Sequence, residues 1–121
     1  MRVACGIDLV EIDRVAAVLE RHPRRFLTRH FTDREIAQAA SRPQRLAVIW
    51  AAKEAAVKAL GTGVGPVDWR EVEVLHQPSG QPVLHLHGRA RRRAEQLGLV
   101  QWSVSLSHSR DNATAVVVAV G

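Results

Sequence analysis

From Val3 to Val10 the chain alternates, with Val3, Cys5, Ile7 and Leu9 on one face and Ala4, Gly6, Asp8 and Val10 on the other. Period two with β-branched residues predicts a strand, and apolar residues on both faces predict one that is covered on both sides. Asp8 is out of place in such a strand. A lone buried carboxylate is costly, so Asp8 either caps the turn that follows or meets a cation.

The pattern then turns helical. Asp13 is suited to cap a helix through "RVAAVLERH" that Pro23 ends. Thr32, with Glu35 three residues later, forms a capping-box signature for a second short helix in "FTDREIAQAAS". The strongest helix is "RPQRLAVIWAAKEAAVKALG", with Pro43 in its first turn, a run of alanines, and Gly61 as its C-terminal cap. "TGVGP" follows as a loop. Strands are predicted from Glu71 to Leu75 and from Pro82 to Leu86, joined by the turn "QPSGQP". An arginine-rich helix runs to Leu99 with its alanines and Leu97 inward, and "VQWSVSLSHSRDNATAVVVAVG" predicts a hairpin turning at Arg110 to Asn112. This order predicts one α+β domain over residues 1–121, a small antiparallel β-sheet packed against a long helix and several shorter ones.

At 121 residues and 46% hydrophobic content the chain can bury one core but not two. No stretch is long and apolar enough for a membrane span, and the N-terminus enters the strand with no signal pattern, so a cytoplasmic protein without a membrane partner is expected. The single cysteine, Cys5, cannot form an internal disulfide and reads as a small buried hydrophobe. Seventeen Lys and Arg against twelve Asp and Glu, a net charge of +5, imply an anionic partner. Nucleic acid, an acidic protein and a phosphorylated small molecule all fit that charge. With no tyrosine and only two phenylalanines, a nucleic-acid binder would depend on phosphate contacts more than on stacking.

Chemistry concentrates on the long helix. Glu54 and Lys58 are one turn apart and share a face, while Trp50, Val57, Leu60 and the alanines make the rest small or apolar. A charged strip on such a helix faces a cleft or a subunit boundary. Together with Asp8, Glu54 would supply the two hard oxygen ligands that a phosphate-bound Mg²⁺ takes from protein.

"GIDLVEIDRV", "FTDREIA", "WAAKEAAVKALGTGVG" and "WSVSLSHSRDNATAVVV", in this order and over nearly the whole chain, resemble the holo-acyl-carrier-protein synthases. These are the short, single-domain 4′-phosphopantetheinyl transferases. The resemblance implies that family's fold and an enzyme that moves the phosphopantetheine arm of coenzyme A to a serine of apo acyl carrier protein, releasing adenosine 3′,5′-bisphosphate. It implies Asp8 and Glu54 as Mg²⁺ ligands, which would give Asp8 its missing cation, and Lys58 as a catalytic group on the phosphates. Coenzyme A contacts are implied for Arg45, Lys58, Gly61, Thr62, Gly63, Gly80, Ser107 and His108. Arg14, Arg21, Arg25 and Arg29 are implied to meet the acidic carrier protein. A homotrimer is implied, with each site between two subunits. Ile49 and Gln81 stand where basic residues are frequent in the family, which leaves the 3′-phosphate to another residue such as Arg45 or to weaker binding. The base for the serine proton stays open among Glu54, a metal-bound water, Asp33 and Glu35. The alternatives are a basic nucleic-acid-binding module and a catalytically degenerate coenzyme A-binding protein, and intact Asp8, Glu54 and Lys58 argue against the second.

Overall fold

The computed structural model describes residues 1–63 and 65–121, so Val64 of the predicted "TGVGP" loop lies outside the described residues. Helix α4 (Pro43–Leu60) is the spine, with Pro43 in the first turn and Gly61 closing it at φ 69. Its buried positions run nearly all round, as they must in a helix enclosed between a sheet and other helices. The sheet is antiparallel, in the order β1 (Val3–Glu11), β5 (Asn112–Val120), β4 (Gln101–His108). Ile7 lies opposite Val116, and Val116 in turn opposite Ser105.

Glycine sets the distance between β1 and α4. A Cβ on Gly6 would stand 1.9 Å from the Ala55 carbonyl oxygen, so strand and helix backbones touch there and only glycine fits. Asp8, two residues on, shares that face of the strand and reaches the next turn of α4.

Three helices follow β1 where two were expected: α1 (Ile12–Arg21), α2 (Pro23–His30) and α3 (Asp33–Ala39). Pro23 does end α1, but it also opens α2, since a first-turn proline loses no helical hydrogen bond. The segment "PRRFLTRH" hides its helix because Phe26 is its one fully buried residue. Asp13 lies inside the first turn of α1, with Glu11 at the cap position. The Thr32–Glu35 capping box is present in full.

The antiparallel strands are divided in two, because β2 (Val72–His76) and β3 (Pro82–Leu86) form a separate ribbon. Glu71, expected as its first strand residue, lies instead in the short 3₁₀ turn before it. Helix α3 seals the outer edge of β2 with side chains. Val74 N donates to Glu35 Oε2 at 2.8 Å and His76 N to Gln38 Oε1 at 2.8 Å, while Gln38 Nε2 donates to His76 O at 3.0 Å. Residues three apart on a helix thus stand in for a neighbouring strand. Helix α5 (Gly88–Gln96) follows β3 and buries Ala90 and Ala94, as its pattern predicts.

The expectation that both faces of β1 are covered does not hold. Val3, Ile7 and Leu9 are 62%, 64% and 68% exposed, and Val116 and Val118 of β5 continue the bare strip. Cys5 lies on it and is exposed, not buried. Alternation of apolar residues cannot tell a strand covered on two faces by its own chain from one whose second face waits for another surface. The exposed apolar strip of this fold is therefore on the sheet.

Candidate active site

The close approach at Gly6 brings Asp8 against α4. Lys58 Nζ donates to Asp8 Oδ1 at 3.0 Å and to Ile7 O at 2.9 Å, bracing the ammonium between strand carbonyl and carboxylate. The Asp8 side chain is 11% exposed, and its second oxygen, Oδ2, is buried with no hydrogen-bond partner. The Thr114 hydroxyl holds the strand in place by donating to Asp8 O at 2.7 Å. Glu54, one turn before Lys58, faces the same carboxylate. Burial and the Asp8 carboxylate push the Glu54 carboxyl up to about 7, against the pull of the Trp50 indole and Lys58.

Two acids, one with an unpartnered buried oxygen, make a pair that lacks positive charge despite Lys58. A hard cation fits that deficit. No group of three His, Cys, Asp or Glu side chains among the described residues is placed to hold a metal ion, so an ion here would draw its remaining ligands from water and from a substrate's phosphates.

Glu54 opens on a cavity of about 410 Å³ whose wall includes Phe26, His30 and Trp50 and whose rim includes Arg14. His30 stands edge-on to Trp50 at 4.6 Å, and Trp69 lies 4.6 Å from the other partner in that pair, so the indole next to Glu54 is held by aromatic packing. Burial lowers the His30 pKa below its ordinary value. Arg21 ends α1, and Arg25 and Arg29 lie exposed on α2.

A larger cavity, about 690 Å³, lies on the other flank of α4, lined by Arg45 and Ile49 of the helix, Gly80 and Pro82 of the ribbon, and His108 at the end of β4. His108 Nδ1 shares a 3.2 Å hydrogen bond with Gln44 Nε2. Ile49 is 1% exposed and belongs to the core as well as to this wall. Ser105 and Ser107 share the outer face of β4, opposite Val104 and Leu106, and of the two only Ser105 borders the cavity. Gly61, Thr62 and Gly63 sit at the end of α4 beyond Lys58, and Thr62 Oγ1 is buried without a partner.

The structure therefore brings Asp8, Glu54 and Lys58 together, and gathers Arg45, Gly80 and His108 elsewhere. Asp33 is 95% exposed in its side chain, with Arg70 at 3.6 Å. Glu35 is fully buried, paired with Lys53 at 2.7 Å and accepting from the Thr32 and Val74 amides, and it lines neither cavity, so it is out of reach of a substrate proton. Sequence reasoning gave no role to Lys53. Its place among alanines on an otherwise buried arc of the helix, with a capping-box glutamate upstream, was the available signal.

The family model for the 4′-phosphopantetheinyl transferase superfamily matches residues 4–118. A holo-[acyl-carrier-protein] synthase of Herpetosiphon aurantiacus is 48% identical over 123 residues, covering 96% of this chain and 97% of that protein. One from Solidesulfovibrio magneticus is 52% identical over 118 residues, covering 96% of each. Among solved structures, the Helicobacter pylori holo-[acyl-carrier-protein] synthase in complex with coenzyme A superposes with a TM-score of 0.87 at 29% identity, covering 96% of this chain and 99% of that one.

Proposed function

The chain belongs to the 4′-phosphopantetheinyl transferase superfamily, and we propose that it moves the phosphopantetheine arm of coenzyme A onto a serine of apo acyl carrier protein, releasing adenosine 3′,5′-bisphosphate. The observation that carries this reading is the Asp8–Glu54 pair with an unpartnered buried oxygen and Lys58 braced beside it.

Asp8 and Glu54 would hold Mg²⁺, which, when bound, neutralises charge on the diphosphate under attack. Lys58, already fixed by Ile7 O and Asp8, offers its ammonium to the oxygen that leaves with the nucleotide. The serine oxygen bonds to the β-phosphorus, the bond from that phosphorus to the bridging oxygen breaks, and the serine proton passes to a base. Of the side chains weighed for that base, Glu54 alone opens on a cavity a carrier could enter. Arg14 at its rim, with Arg21, Arg25 and Arg29 exposed beyond, presents guanidinium groups to the acidic carrier helix.

Coenzyme A would run from these carboxylates to the 690 Å³ cavity, and the geometry bears on how. Arg45 and Glu54 project about 180° apart on α4 at 100° per residue. One copy therefore turns its carboxylates and its large cavity to opposite sides of the same helix. A single coenzyme A can span both only if the carboxylates of one copy face the cavity of the next. The bare strip of Val3, Ile7, Leu9, Val116 and Val118 offers the contact, and a closed homotrimer satisfies both demands. The arginines of α5 support a nucleic-acid surface poorly, since Arg89 pairs with Glu71, Arg91 with Glu95, and Arg93 donates to Leu60 O. No helix among the described residues is long and apolar enough to cross a membrane, and we place the reaction in the cytoplasm.

Mass spectrometry of an apo carrier protein incubated with the enzyme, coenzyme A and Mg²⁺ tests the assignment. One phosphopantetheine should be added per carrier. An unchanged carrier mass across fatty-acid and polyketide carriers overturns it.

A further inference from the structure

We propose that His76 is a specificity-determining residue that meets the 3′-phosphate of coenzyme A, and that Gln38 is the residue that positions it. This rests on the coenzyme A reading above and assigns a role to two side chains that the reading left unused.

The large cavity is lined by three basic side chains, Arg45, His76 and His108, with no carboxylate among the described residues around it. An apolar floor of Val48, Ile49 and Leu106 completes it. Concave apolar walls with convergent N–H donors suit a nucleoside carrying a phosphate. Ile49 contributes no donor, so the phosphate contacts must come from the rim.

The end of β2 brings His76 to the cavity. His76 and its cross-strand partner Pro82 both line the cavity, opposite Arg45, Val48 and Ile49 of α4, and at the strand's end His76 is half-buried. Its backbone is pinned on both sides by one side chain, through the bonds His76 N to Gln38 Oε1 and Gln38 Nε2 to His76 O. The same Gln38 receives, on its own carbonyl oxygen, the Arg45 guanidinium at 3.4 Å. One residue at the end of α3 thus registers two of the three basic groups against each other. A loop turn alone would leave His76 free to drift, and a contact to a phosphate depends on sub-ångström placement of its donor.

Calorimetric titration of coenzyme A and of 3′-dephospho-coenzyme A into the wild type, His76→Leu, His76→Arg, Gln38→Leu and the Gln38→Leu/His76→Leu double variant separates the possibilities. Circular dichroism confirms that each is folded. His76→Leu is expected to cut the preference for coenzyme A over its dephospho form on the order of tenfold, the loss of one charge-assisted contact, and His76→Arg to restore it. Gln38→Leu should reduce the preference less, and the double variant no further than His76→Leu alone, because Gln38 acts through His76. Equal weakening of both ligands by His76→Leu, or no change in either, overturns the assignment. Transfer to the carrier from both donors is measured alongside. A wild type that uses both without preference overturns the phosphate role of this cavity and leaves the transferase reading standing, whereas transfer from neither overturns both.

Discussion

Lys53 and Glu54 are neighbours on α4 and belong to opposite kinds of polar site. Lys53 is fully buried, paired with Glu35 at 2.7 Å and donating to Trp69 O and Val72 O. Burial pushes Lys53 down and Glu35 up, and their mutual attraction opposes it. Next to this pair, Glu73 accepts from the Thr32 hydroxyl at 2.6 Å, Arg34 at 2.7 Å and His87 at 3.0 Å. Every acid in this network has donors. One residue on, about a quarter-turn round the helix, Glu54 faces a second carboxylate, and Asp8 keeps an oxygen with no partner. A saturated buried network ties α3, α4 and β2 into one body, while an unsaturated one stores an unmet demand for positive charge that a ligand can fill.

The largest test of that contrast is Lys53→Met. It leaves Glu35 buried without its cation and two carbonyls without a donor, and should destabilise the fold by about 3–5 kcal/mol in urea unfolding. A loss near zero would mean the network is not what holds these elements.

Glu54→Gln and Asp8→Asn should do the reverse. Transfer activity is expected to fall about 10²–10³-fold, the usual effect of removing one group that stabilises developing charge. The urea midpoint measured without Mg²⁺ should hold or rise, since the substitution removes repulsion between two carboxylates. Near wild-type turnover at limiting Mg²⁺ would return Asp8 to the role of a turn cap.

Acid should find the saturated side through Glu73. Burial alone would raise its carboxyl, but Thr32, His87 and Arg34 together hold it down at about 2, from an ordinary 4.5. A depressed acid contributes stability that is present above its unfolded pKa and is lost as pH falls through the folded one. About 3 kcal/mol should therefore disappear between about pH 4.5 and pH 2. Glu73→Gln should be less stable by about that amount at neutral pH, with the gap closing over the same window.

The smallest effect concerns the approach to the unsaturated side. Charge reversal at Arg14 or Arg21 should raise KM for the carrier protein several-fold and that for coenzyme A less, with added salt acting the same way on the wild type. Equal changes for both substrates would place these arginines in the nucleotide site or in the fold.

The strands, α4 with its proline start and glycine stop, and the Thr32 capping box were legible because each rests on local spacing, and the grouping of Asp8 with Glu54 and Lys58 because two family motifs from separate stretches carry it. Helix α2 was not, because its single buried Phe26 gives no period to detect. Nor was the Lys53 network, since Glu35, Glu73 and Lys53 are brought together from three elements by packing alone.

Sequence by itself determined the order of the strands and of the helices other than α2, and the residue types able to meet a diphosphate, since these depend on short-range periodicity and side-chain chemistry. Tertiary structure alone decided which of two adjacent charged residues on α4 is silent and which is exposed to chemistry. It also decided that Cys5, Ile7 and Leu9 face outward and that His76 and His108 gather beside Arg45 around one cavity. The reason is that burial depends on what packs over a face, and the elements covering each face of α4 and leaving one face of β1 bare come from distant parts of the chain.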